Sequence, residues 1–194
     1  MVAPRRLRGA VVAAMRAAHP YEEPAFDVLE LASWSGTTGT GRVGRLAEPT
    51  TLRSFAALVA RALPSTAQGI RYAGDPDGRV ETVAVVGGSG DSLFDAVRAS
   101  GVDAYVTADL RHHPASELRE RADHENRTPY LVDTAHFASE WPWLARAARA
   151  LEQDAAAAGA TVVTRVSTLS TDPWTGRVAS PEPTAPDATT EGHP

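Results

Sequence analysis

Cysteine is absent from the 194 residues. That excludes disulfides, thiolate nucleophiles and every cysteine-ligated zinc or iron–sulfur site. Lysine is absent too, because all 19 basic residues are arginine. No phosphate-loop lysine, Schiff-base lysine or Ser–Lys dyad can form. No apolar run approaches the ~20 residues needed to cross a bilayer. The arginines near the start precede no long apolar core and no cleavage-like site, so a secretory leader is not expected. A cytoplasmic protein with no membrane contact is the expectation. Positive charge is also scarce, with 19 arginines against 24 acids and a formal net charge of −5. Apart from Arg5, Arg6 and Arg8 the arginines are scattered, which gives no basic face for a nucleic acid.

The remaining composition is that of a globular chain. Hydrophobic residues make up 43%, and the length suits one domain, or one domain plus a small second piece, with a sizeable core. Helical spacing of Leu7, Val11, Ala14, Met15 and Ala18 predicts a helix over 4–18, ended by His19-Pro20. A strand is predicted over 25–31, a Gly/Ser/Thr loop over 33–41, and a short strand over 42–47. Thr50 or Thr51 can cap a helix carrying Leu52, Phe55, Val59 and Leu63. Strands over 70–73 and 80–86 flank Asp75-Pro76-Asp77-Gly78, which predicts a hairpin. From residue 80 onward strands and helices alternate: a helix near 91–99 with Gly101 as its C-cap, then a strand over 104–107. A helix near 114–123, a strand over 130–132, a long helix over 137–157 and a strand over 160–169 follow. That alternation predicts an α/β layer fold on a largely parallel sheet. The chain from about 175 is Pro-, Thr- and acid-rich and is expected to be disordered.

Four segments carry residue types with chemistry. In Asp133-Thr134-Ala135-His136-Phe137-Ala138-Ser139-Glu140, His136 and Glu140 are four apart and share a helix face. An imidazole nitrogen beside a carboxylate suits zinc, iron, manganese or nickel. The same spacing also fits a plain helix start with a solvated acid. In Thr107-Ala108-Asp109-Leu110-Arg111-His112-His113, three residues are metal-competent, but adjacent histidines point apart. A capping Asp109 with surface histidines is the other reading. The turn Gly87-Gly88-Ser89-Gly90 allows close backbone approach to an anion, but it matches neither dinucleotide nor Walker patterns. His19-Pro20-Tyr21-Glu22-Glu23-Pro24 is a rigid turn that names no reaction by spacing.

Together and in this order, with Gly41-Arg42-Val43-Gly44 and Thr171-Asp172-Pro173-Trp174, these stretches resemble one family. It is the dinuclear-metal family of GTP cyclohydrolase 1 type 2 homologues, also called Nif-three-like proteins. The resemblance covers most of residues 7–174. It implies a three-layer α/β/α sheet domain with two divalent ions, zinc, iron or manganese, in a cleft. It also implies a homo-oligomer, typically a ring-shaped hexamer, and a metal-assisted hydrolase whose nucleotide substrate is GTP. His136 and Glu140 match the family's C-terminal metal ligands. Asp109, His113, Gly88 and Gly90 match positions near the cleft.

The resemblance also carries a departure. The family's other ligands, a His-His pair and an Asp, come from an N-terminal half that precedes an inserted, ferredoxin-like regulator domain. This chain begins inside that inserted domain, and His112-His113 is not the equivalent of the pair. The expected organisation is a partial inserted domain over 1–46, the C-terminal half of the metal-binding domain over 47–175, and a tail over 176–194. A chain truncated in this way supplies too few ligands for a complete centre. A non-catalytic regulatory or protein-interaction module is therefore the alternative.

Overall fold

The computed structural model describes residues 3–30, 39–125 and 127–180. The chain divides into two compact units, residues 1–37 and 38–194. In the first, a single 3-10 turn leads into helix α1 (Arg8–Ala18). α1 ends at His19, whose extended backbone (φ −81°, ψ 137°) is what Pro20 demands. The His19 ring accepts the Tyr21 N–H at 3.1 Å through Nδ1, and Pro24 is buried. Residues 25–30 do not form the expected strand: among the described residues they have no ladder partner, and Leu29 is exposed. A strand needs a neighbour to satisfy its backbone, whatever its own propensity. Leu31 and most of the 33–41 loop lie outside the described residues.

The second unit is built on a five-stranded mixed sheet. Its elements are β1 (Gly41–Thr51), α2 (Leu52–Ala62), β2 (Arg71–Ala73), β3 (Arg79–Ser89), α3 (Phe94–Ser100), β4 (Ala104–Ala108), α4 (His112–Glu125), β5 (Tyr130–Thr134), α5 (His136–Glu140) and α6 (Pro142–Ala157). The strand order is β1-β3-β4-β5-β2. β3, β4 and β5 are parallel, while the edge strands β1 and β2 run antiparallel to β3 and β5.

Side-chain alternation sorts the core into two layers. On one face Leu52 and Phe55 of α2 pack on Val83, Ala104, Val106 and Val132. On the other, Val97 of α3 and Leu118 of α4 pack on Ala84, Tyr105 and Leu131. Every residue of β4 and β5 is buried, as expected for parallel strands covered on both sides. This is an α/β fold with helices on both sheet faces. Thr51 caps α2, its Oγ1 accepting the Ser54 N–H at 3.2 Å.

Three further sequence expectations are corrected. The Asp75–Gly78 turn forms, with the Gly78 N–H on the Asp75 carbonyl at 3.0 Å, but β2 and β3 do not pair across it. Its Pro76 and Gly78 carbonyls accept the first N–H groups of α2, and β2 leaves to pair with β5. The long helix over 137–157 is two helices, because Pro142 has no N–H to continue the ladder. Residues 160–169 are not a strand. Val163 and Leu169 are exposed, and Thr164 is held by the Glu152 carboxylate of α6 instead of by a ladder. Residues 175–180 are exposed without regular structure, and 181–194 lie outside the described residues.

Candidate metal site

β4 and β5 stay in register to their last residues, Ala108 opposite Thr134. Their carboxyl ends therefore release two loops side by side, where open α/β sheets place ligands. The first loop carries Asp109 in the left-handed region, with φ 53°. The second passes through Ala135 into α5. Buried Asp133 of β5 ties the first loop to the edge strand β2: its Oδ1 accepts the Leu110 N–H at 3.2 Å and its Oδ2 accepts the Arg71 Nε–H at 3.0 Å.

His136 opens α5 and stands between two carboxylates. Its Nδ1 is 2.6 Å from Asp109 Oδ2, and its Nε2 is 3.2 Å from Glu140 Oε1. Glu140 reaches the ring because it sits one turn later on the same face. All three side chains are about half exposed. The hydrogen bond to Asp109 holds the imidazole pKa above its ordinary value, with partial burial opposing and the two carboxylate charges adding to it.

The Gly-rich turn at the end of β3 forms the floor beside this pair. Gly88 has φ +73°, and a β-carbon there would come within 2.7 Å of Glu140 Oε1 and 3.5 Å of His136 Nε2. Its N–H donates to Ser139 Oγ at 2.8 Å, and Ser139 Oγ donates onward to the His136 carbonyl at 2.8 Å. The Gly88 carbonyl accepts the Thr107 hydroxyl at 2.9 Å. Gly90 is set deeper, its carbonyl accepting the buried Tyr105 hydroxyl at 2.9 Å. His113 packs edge-on against His112 in the first turn of α4 and is not among the cleft-lining residues.

A cleft of about 570 Å³ opens over Asp109, His136 and Glu140. Phe137, Trp141, Trp143 and Trp174 form much of its wall, with Gln68 and Asp172 as polar members. Sequence reasoning did not single out Gln68, Trp141 or Trp143. A compositional signal was present: three of the four tryptophans, at 141, 143 and 174, belong to this one cleft. Arg71 was also missed, and only its register opposite Asp133 reveals it.

The donor chemistry fits a divalent transition metal at His136 and Glu140. One imidazole nitrogen and one carboxylate oxygen share a side, and the missing side chain at Gly88 keeps the space beside them clear. Asp109 and Glu140 lie on opposite ring nitrogens, so the three acidic and imidazole groups do not converge on a point. Among the described residues no cluster of three or more such side chains is arranged to hold an ion by itself.

The sequence pattern of Duf34/NIF3 (NGG1p interacting factor 3) matches residues 8–173. The chain belongs to the Duf34/NIF3 family. Relatives named GTP cyclohydrolase 1 type 2 homolog include one from Mycobacterium tuberculosis, 54% identical over 174 residues, which are 90% of this chain and 44% of that protein. Another, from Streptomyces coelicolor, is 52% identical over 159 residues, covering 82% of this chain and 53% of its own length. The chain thus spans about half the length of the curated relatives it matches. A solved structure of a Bacillus cereus protein related to NIF3 superposes with a TM-score of 0.62 at 32% identity, over 89% of this chain and 45% of that one. The Duf34/NIF3 match spans every site residue described above except Trp174. Among the described residues no helix is long and apolar enough to cross a membrane.

Proposed function

We propose that this Duf34/NIF3 chain supplies His136 and Glu140 as two ligands of a divalent metal centre. The observation that carries the reading is the pairing of His136 Nε2 with Glu140 Oε1, 3.2 Å apart on one side of α5 and facing the cleft. In the complete centre the activity is metal-assisted hydrolysis of a nucleotide, with GTP as the substrate that the relatives' name supports. A bound divalent ion supplies hydroxide near neutral pH by lowering the pKa of a water. The chain's own part is binding and orientation. His136 offers a ring nitrogen, Glu140 offers a carboxylate, and the wall of Phe137, Trp141 and Trp174 offers flat apolar faces beside them.

With two ligands from this chain, solvent completes the shell, so zinc or manganese binds weakly. GTP turnover by the chain alone stays at or barely above background. A homo-oligomer belongs to the same reading, and light scattering that reads a clean monomer at high concentration contradicts that part of it. Calorimetric titration of zinc into the chain and into a His136→Ala, Glu140→Ala variant tests the site. Heat of binding lost in the variant supports it, and equal affinity in both proteins overturns it. A complete centre that binds zinc and leaves GTP unchanged favours the regulatory alternative.

A further inference from the structure

A histidine ligates through one nitrogen only if its proton rests on the other. We propose that Asp109 is the positioning residue of this site: its carboxylate keeps the proton on His136 Nδ1 and leaves Nε2 bare toward Glu140. The inference rests on the metal reading above, yet it concerns a state of the ring that exists without metal.

Three observations carry it. First, the two carboxylates compete unequally for the ring, at 2.6 Å for Asp109 on Nδ1 and 3.2 Å for Glu140 on Nε2. The shorter contact is the stronger charge-assisted hydrogen bond, so the single proton of the neutral ring stays on the Asp109 side. Second, Asp109 adopts φ 53°, a left-handed backbone that few side chains other than Asp and Asn adopt readily. Such a conformation persists where the surroundings over-determine it. Third, the surroundings here are visible. Asp109 follows the last residue of β4, and the next N–H, that of Leu110, is held by Asp133. Asp133 is itself buried and fastened to Arg71 on the edge strand β2. The network runs Arg71, Asp133, Leu110 backbone, Asp109, His136, so the edge strand helps to set where the imidazole stands. A carboxylate behind a ligating histidine is the arrangement that fixes tautomer and raises ligand basicity in metal sites generally.

The test compares the full chain with Asp109→Gly and Asp109→Asn. Both replacements suit a left-handed backbone, so folding is preserved. The first readout is the His136 tautomer in metal-free protein, from nitrogen-15 correlation spectra at a pH where the ring is neutral. The expected result is Nδ1–H in the unaltered chain and Nε2–H, donated to Glu140, in Asp109→Gly. Asp109→Asn keeps an acceptor oxygen and retains the Nδ1–H form in part. The second readout is zinc affinity, expected to fall about 10–100-fold in Asp109→Gly, while the thermal midpoint does not fall. A tautomer unchanged by Asp109→Gly overturns the proposal. So does a flipped tautomer with unchanged zinc affinity, or a lower melting temperature with the ring state intact. If the unaltered chain binds no zinc, the metal reading fails by itself, and the tautomer still decides the role of Asp109.

Discussion

Gly88 and Glu140 share one small space: a β-carbon on Gly88 would stand 2.7 Å from Glu140 Oε1. The Gly-rich turn thereby sets where the carboxylate of α5 can rest. Its positive φ of 73° falls within β3, where the register against β4 shifts between Val85 and Ser89.

Gly88→Ala is expected to separate binding from stability. The left-handed backbone costs alanine about 1–2 kcal/mol, and the flexible Glu140 side chain swings aside to relieve the contact. Urea denaturation should show that modest loss, while zinc affinity measured on the folded protein falls further than in any variant of comparable stability. Unchanged zinc affinity would mean that the carboxylate position is irrelevant to the site.

Gly90→Ala should behave in the opposite way. Its β-carbon would lie 2.9 Å from Thr107 Cβ and closer still to Thr107 Oγ1 and Tyr105 Oη. Those side chains are fully buried and cannot move away. Overpacking of this kind costs about 1–3 kcal/mol, toward the upper end here because backbone would have to shift. Zinc affinity of the remaining folded protein stays near that of the unaltered chain. A variant as stable as the parent would show that the turn relaxes more easily than its packing implies.

Asp103 predicts a pH dependence of stability. Its Oδ2 accepts the Glu81 N–H at 2.9 Å, the Thr82 N–H at 2.7 Å and the Thr82 hydroxyl at 2.9 Å. Burial alone raises the carboxyl pKa, but these hydrogen bonds and the Arg79 charge outweigh it and hold the pKa below the ordinary 3.8. The folded value is the depressed one. The contribution is therefore fully present above the unfolded value and disappears as pH falls through the folded one. Asp103→Ala leaves part-buried N–H groups unpaired and should cost about 1 kcal/mol at neutral pH. The gap between the two proteins, read as urea midpoints, should shrink as pH falls below 3.8. A gap that stays constant would remove Asp103 as its source.

The sequence was informative where local chemistry decides structure. The cap at Thr51, the helix stop at His19-Pro20 and the left-handed Gly101 after α3 are properties of a few neighbouring residues. The alternation from Val80 onward likewise revealed the parallel core, because strands buried on both faces read as apolar runs. Partnering was not legible. The Asp75–Gly78 turn signals a chain reversal, yet nothing local tells β2 to pair with β5. Residues 160–169 are rich in β-branched side chains, a preference for pleated surfaces that goes unused without a neighbour. The break before Pro142 was readable in principle from the proline itself. At the site, the i,i+4 spacing brought out His136 and Glu140. The ring's attachment to Asp109 depends on the register of β4 against β5, which spacing does not encode.

The most direct measurement is an anomalous difference map from crystals of the full chain soaked in zinc. The account predicts a peak within coordination distance, about 2.0–2.2 Å, of His136 Nε2 and of a Glu140 carboxylate oxygen. It predicts no such peak in crystals of the His136→Ala, Glu140→Ala variant. A peak held by other residues, or none near α5, would contradict it.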